Sequence, residues 1–210
     1  MNSLTKIIDF FYQKKKYSFL KKTITKKVDV FIDVGAHHGD TINEFLAIFL
    51  IKKIYAFEPS KKNFDKLKEN IKKINKKNAI KIDIYPLGVG EKIDVLELNE
   101  IIDGVSNTFN SLNTNSKYFK KKRLITTIFG IKKFIDKKVP TKIIPLKEFM
   151  IQKKINQVDL IKIDTEGFEY ATLLGLEDYI KKIKFILFEH HYDNMLIKNY
   201  KFTDIHKLLH

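Results

Sequence analysis

Five short, largely apolar runs recur along the chain, at Val28 to Val34, Lys53 to Phe57, Ala79 to Tyr85, Val158 to Ile163 and Phe185 to Phe188. Each stops at a glycine, a proline or an acidic residue. Strands this apolar are buried on both faces, which requires a parallel sheet with helices on each side. Helical stripes between the runs supply that cover. Ile42, Phe45, Leu46 and Phe49 fall at i, i+3, i+4 and i+7 within a helix expected over Thr41 to Leu50. Thr41 and Glu44 have capping-box spacing at its start. Ser60 caps a second helix with the stripe Phe64, Leu67, Ile71 and Ile74. Further helices are expected near Leu146 to Ile155, after Gly167 (stripe Leu173, Leu174, Ile180 and Ile183) and from about Thr203. The fold class is therefore α/β, a doubly wound and mostly parallel sheet.

The region 99–140 is the least regular. Lys92 to Leu98 alternates like a short extra strand, Asn107 to Ser116 has loop composition, and a basic helical stretch is expected around Lys117 to Lys138. Residues 1–27 form a basic helical extension and 28–210 the main domain. Only 22 residues follow Phe188. A helix and two more strands need roughly 30. The fifth strand is thus expected to be a free edge, from a truncated chain or one completed by a homo-oligomer partner.

The net charge is +15, from 40 basic and 25 acidic residues, but the lysines are spread over the whole chain. Arg123 is the sole arginine. Specific nucleic-acid readers favour arginine, so no specific nucleic-acid partner is expected. There is no cysteine, which excludes disulfides and thiolate metal sites and suits a cytoplasmic location. The longest apolar run, Phe45 to Ile51, is far short of the roughly 20 residues that span a bilayer.

In a doubly wound sheet, ligands bind at the carboxyl ends of the strands. Four clusters fall there. The first is Asp33-Val34-Gly35-Ala36-His37-His38-Gly39, whose glycines let the backbone turn sharply near a ligand. The second is Glu58, an acid at the end of the next strand that can accept both ribose hydroxyls of a nucleoside cofactor. The triple-glycine spacing that admits a pyrophosphate is absent, which favours S-adenosylmethionine over NAD. The third is Lys162-Ile163-Asp164-Thr165-Glu166-Gly167. A lysine in a central strand must be paired, with Asp164 or Glu189 as the candidates. The fourth is Glu189-His190-His191. The His pairs 37/38 and 190/191 read as hydrogen-bonded side chains of a polar cleft, and no metal is expected.

The segments Asp33-Val-Gly-Ala-x-x-Gly, Phe57-Glu58-Pro59 and Asp159-Leu-Ile-Lys-Ile-Asp-Thr-Glu-Gly-Phe-Glu169, with a strand ending in Glu189, resemble the FkbM family of S-adenosylmethionine-dependent methyltransferases. The resemblance runs from about Val28 to about Asn194. It implies a Rossmann-like methyltransferase fold and, usually, O-methylation of sugars or other hydroxylated metabolites. It also implies that Asp33, Gly35, Ala36 and Gly39 line the cofactor, with Glu58 on its ribose. His37 stands where the family often has Asn and is expected against the methionine part. Lys147 stands where the family often has Asp. A sugar hydroxyl needs a base to take its proton, and Asp164, Glu166 and His190 are the candidates. An NAD- or nucleotide-sugar-dependent enzyme and a non-catalytic cofactor-binding module are the competing readings.

Overall fold

The computed structural model describes residues 15–77, 80–101, 104, 106–128, 135–190 and 194–210. Helix α1 occupies 15–23. It is followed by β1 (Lys27–Val34), α2 (Asp40–Leu46), β2 (Leu50–Phe57), α3 (Lys61–Lys77), β3 (Lys81–Tyr85), β4 (Gly88–Val89) and β5 (Asp94–Ile101). Then come α4 (Lys117–Ile128), β6 (Ile135–Ile144), α5 (Leu146–Gln152), β7 (Val158–Ile163) and α6 (Glu169–Leu174). A 3-10 helix (Glu177–Lys182), β8 (Ile183–Phe188) and α7 (Phe202–Leu209) complete the order.

The five strands expected from the apolar runs form one parallel sheet in the order β3-β2-β1-β7-β8. The order reverses between β1 and β7, where the chain first runs outward to β3 and then returns. That reversal opens the crevice in which such sheets bind ligands. Ile32, Val34, Phe57 and Ile161 pack with Phe149 and Leu173 on one face of the sheet. Phe31, Ile54 and Leu160 pack with Phe45, Leu67 and Ile71 on the other. Leu20 and Ile24 at the end of α1 join that second layer, so this part of the basic extension is a packing helix. Among the described residues, β8 is the edge of the sheet and no strand follows it. The returning segment instead bridges Leu196 to Leu112, and α7 packs Ile205 into the core. No helix among the described residues is long and apolar enough to cross a membrane.

Three local expectations are corrected. Helix α2 ends at Leu46, and Leu50 already belongs to β2. Its N-cap is Gly39 in the left-handed region, with no side-chain cap, and Glu44 accepts instead from the Tyr17 hydroxyl. Ile183 opens β8 rather than closing a helical stripe. Of the expected basic helix the described part covers Lys117–Ile128, residues 129–134 lie outside the described residues, and Ile135–Ile144 is a strand. It runs antiparallel to β5 from Asp94 opposite Ile143 to Ile101 opposite Ile135, and parallel to β4. Pro140 and the three lysines Lys137, Lys138 and Lys142 disguise it in the sequence, because this sheet has only three strands and one of its faces meets solvent. The alternating run at Lys92 to Leu98 is its partner β5, longer than expected.

Candidate active site

The parallel register continues for one residue past each strand. Asp164 donates its N–H to Val34, Glu189 to Ile163 and Glu58 to Tyr85, at 3.0, 3.0 and 3.1 Å. Gly35, Glu58, Asp164 and Glu189 therefore stand in a row at the carboxyl edge. Above that row opens a cleft of about 900 Å³, its mouth included. Its lining includes Val34, Gly35, Ala36, His37 and Glu58 from the ends of β1 and β2, and Gly88, Val89, Leu98, Asn107, Phe109, Asp164, Thr165 and Glu166 from elsewhere in the chain.

The glycine loop is pinned by main-chain bonds. The N–H groups of Gly35 and Ala36 both donate to Phe57 O, at 3.0 and 2.9 Å, and Gly39 N–H donates to Ala36 O at 2.8 Å. Gly35 has φ +77°, and a Cβ placed on it would lie 1.8 Å from the carbonyl oxygen of Asp164. This position is glycine because two loops touch backbone to backbone. Gly39 is different. Its missing Cβ faces Leu67 at 3.0 Å and Ile71 at 3.8 Å, on the core side of the loop. Gly39 serves the packing of α2 on α3, and the structure does not bring it to the cleft as expected of a cofactor residue.

Glu58 sits in the cleft and is almost fully buried. One carboxylate oxygen accepts from His37 N–H at 2.8 Å, the other from Ser60 N–H at 2.9 Å. Burial pushes its pKa up to about 7, against the pull of those two N–H groups. His37 follows the turn at φ +49° and stacks on His38 at 3.6 Å between ring centroids. Burial and the neighbouring His38 lower its pKa, so the ring is neutral near pH 7. Its buried Nε2 has no hydrogen-bond partner among the described residues.

Asp33 is completely buried and does not line the cleft. It lies across from Lys162 in the β1–β7 register. The Lys162 ammonium is 3.5 Å from Asp33 Oδ1 and 3.3 Å from Asp164 Oδ2, and donates to Gly35 O at 3.0 Å. Burial alone would lower the Lys162 pKa, but the two carboxylates outweigh it and hold the ammonium charged. Asp164 is thus one partner foreseen from sequence, and Asp33 is a partner that was not. Asp33 acts beneath the site, by seating the lysine that ties both loops together.

Glu166 occupies a left-handed position at φ +50° and lines the cleft. Burial, then the nearby Asp164 and Glu189 carboxylates, push its pKa up to about 8. Its backbone is clamped on both sides. The Thr108 hydroxyl donates to Glu166 O at 2.7 Å. One carboxylate oxygen of Glu169 accepts from Thr165 N–H, the Thr165 hydroxyl and Gly167 N–H, at 3.1, 3.1 and 2.9 Å. The other accepts from the Tyr200 hydroxyl at 2.7 Å. Glu169 has no exposed surface. In the sequence it closes the segment Asp159 to Glu169 with no role that its position alone announces. An acid repeated three residues after Glu166, inside the first turn of a helix, was the available signal.

His190 is not among the residues lining the cleft. Its ring packs against Phe202 at 5.4 Å and Tyr200 at 6.0 Å, facing the C-terminal helix. His190 thus stands apart from the cleft that Asp164 and Glu166 line. His191 lies outside the described residues. Among those described, no three His, Asp or Glu side chains are grouped as metal ligands. Phe109, which packs on Phe168 at 5.2 Å, and Asn107 were not singled out from sequence, since the irregular insertion that carries them has no local code for its destination.

Comparison with known proteins sets this geometry in a family. The chain is similar in structure to a methyltransferase FkbM from Methylobacillus flagellatus KT, at 16% identity and TM-score 0.49, covering 75% of this chain and 31% of that one. It is also similar to an rRNA methylase from Streptococcus thermophilus, at 13% identity and TM-score 0.39, covering 80% of this chain and 63% of that one. The chain thus spans about a third and somewhat under two thirds of their lengths. No curated protein matches it in sequence. The profile of the methyltransferase FkbM domain matches residues 33–210, which takes in the whole cleft lining and every strand of the sheet except most of β1. The chain belongs to the FkbM methyltransferase family.

Proposed function

We propose that the chain methylates a hydroxyl oxygen of a sugar or similar polyhydroxylated metabolite, using S-adenosylmethionine. The observation that carries this reading is a clamped, high-pKa carboxyl, Glu166, lining the same cleft as Glu58. When bound, the cofactor supplies a methyl group on a positively charged sulfur. The residues present suit it. Glu58 offers the free lone pairs of both oxygens to ribose hydroxyls, while its accepted N–H groups keep the loop in place. Ala36 adds only a methyl group to the loop, and His37 Nε2 remains available to a polar group of the methionine part. Lys162 and Asp164 fix the floor between the two loops.

Methyl transfer is an in-line displacement, so the protein's main task is to hold the acceptor oxygen near contact distance and in line. Its second task is to remove the hydroxyl proton. A base works best when its pKa lies near the working pH, and Glu166 at about 8 meets that condition. Asp164 is engaged by Lys162 and serves orientation.

Calorimetry with S-adenosylhomocysteine and NAD tests the cofactor, with binding of the former alone expected. Tritiated S-adenosylmethionine with a panel of methyl glycosides and lipid-linked sugars tests the reaction. Glu166→Gln should lower single-turnover methylation by roughly two orders of magnitude, the range of general-base catalysis, with cofactor affinity retained. A near-normal rate in that variant would remove Glu166 as the base.

A further inference from the structure

We propose that the solvent face of α4 docks the protein on a bilayer surface that carries anionic lipids. The 12 residues Lys117–Ile128 contain Lys117, Lys120, Lys121, Lys122 and Arg123, and no acidic residue. Phe119, buried with Ile101, Met195 and Leu196, fixes which side of the helix faces inward. The outward side then carries lysines interleaved with large apolar residues. Tyr118 is 51% exposed, Leu124 63% and Ile125 46%.

Helix α3 shows that this is more than a lysine-rich surface. It holds eight lysines, but with Asp65 and Glu69 among them, and none of the exposed large apolar residues of the protein lies on it. Its stripe Leu67, Ile71 and Ile74 is spent on the core. Helix α3 thus mixes signs and hides its apolar side chains, whereas α4 carries one sign of charge and, apart from Phe119, leaves Tyr118, Leu124 and Ile125 exposed. Cations around exposed apolar side chains suit a lipid interface, where apolar groups enter the boundary of the acyl chains and long lysine stems lift their charge to the headgroups. A nucleic acid would be served by the cations but not by Leu124 and Ile125. The inference does not depend on which hydroxyl is methylated or on Glu166 as the base.

The test uses the full chain with vesicles of phosphatidylcholine alone, or with about a quarter phosphatidylglycerol. Sedimentation should show at least roughly tenfold tighter binding to the anionic vesicles. Lys120→Glu/Lys121→Glu and, separately, Leu124→Ser/Ile125→Ser should each abolish most of that gain, with unchanged circular dichroism. The chain has no tryptophan, so Leu124→Trp provides a clean reporter whose emission should shift to the blue on vesicle binding. Binding that both double variants retain would overturn the proposal. So would a Leu124→Trp emission that does not move, or tighter binding to a single-stranded RNA oligonucleotide that the lysine variant alone removes.

Discussion

The wall of the cleft that carries Gly35, Ala36, His37 and Glu58 is made by two adjacent strand ends, and its bonds are almost all main chain to main chain or main chain to one carboxylate. The second wall is assembled from β4, β5, the insertion around Asn107 and Phe109, and residues 164–166. It is held by side chains that reach across 58 residues from Thr108 to Glu166 and 31 from Tyr200 to Glu169. The first wall is a consequence of sheet topology and few residue types suit it. The second is a set of separate contacts, each replaceable. The glycine-loop wall should therefore tolerate few substitutions, and the second wall should accept more.

The most damaging single change is expected where the two walls meet. Gly35→Ala puts a methyl group on the Asp164 carbonyl and strains a φ of +77°, and neither backbone can withdraw without unpairing β1 or β7. A loss of about 3 kcal/mol or more in urea denaturation is expected, at the severe end for one substitution. Gly39→Ala should cost less although its φ is +89°, because the obstacle is the flexible end of Leu67. If Gly39→Ala proved the more damaging, the seam between the loops would not be the rigid element of the site.

Next comes Glu58→Ala, expected to weaken S-adenosylhomocysteine binding by about 1.5–3 kcal/mol, the range for hydrogen bonds to a charged group. The variant also frees the N–H groups of His37 and Ser60, so some thermal stability should be lost with it. Calorimetry showing unchanged affinity would place the ribose elsewhere.

The contrast between the walls explains what could be read from the sequence. Strands β1, β2, β7 and β8 are apolar on both faces and announce themselves, and the strand-end residues Gly35, Glu58 and Asp164 follow from them. Gly39 and Asp33 belong to the expected loop, yet the missing Cβ of Gly39 faces Leu67 and Asp33 faces Lys162, since a sequence shows that glycine is needed and not which neighbour needs it. His190 was at the right strand end, but the aromatic rings of Tyr200 and Phe202 draw it away. Strand β6 was missed because Lys137, Lys138, Pro140 and Lys142 hide a strand with an open face. Phe109 and Thr108 reach the cleft only through tertiary contacts, which no local pattern encodes.

A smaller effect separates the walls by pH. The Glu166 carboxyl titrates near 8 in the folded protein against an ordinary 4.5. The folded state therefore holds the extra proton through that window, and stability contributed by this group is lost as pH rises from about 4.5 to 8. Glu58 adds a loss of the same sign that ends near 7. Glu166→Gln keeps a neutral group in place at every pH. It should match the wild type near pH 4.5 and exceed it by at least about 1 kcal/mol at pH 8.5. Chemical denaturation at the two pH values decides it, and an advantage that does not grow with pH would show that the carboxyl is not held in its high-pKa surroundings.

The smallest expected effect compares one threonine from each wall. Thr108 is fully buried, donates to Glu166 O at 2.7 Å and accepts from Asn110 N–H at 3.0 Å. Thr108→Val leaves both groups without that partner, at a cost of about 1–3 kcal/mol. Thr41 begins as the stronger candidate on sequence, as half of a capping box with Glu44 whose loss would cost about 1 kcal/mol. In the folded chain it stands inside α2, the cap position belongs to Gly39, and Glu44 is taken by Tyr17. Thr41→Ala should then change stability by less than about 0.5 kcal/mol, as at an ordinary partly exposed position. Equal losses in the two variants would mean that side chains support the glycine-loop wall after all, and that the division between a main-chain wall and a side-chain wall does not hold.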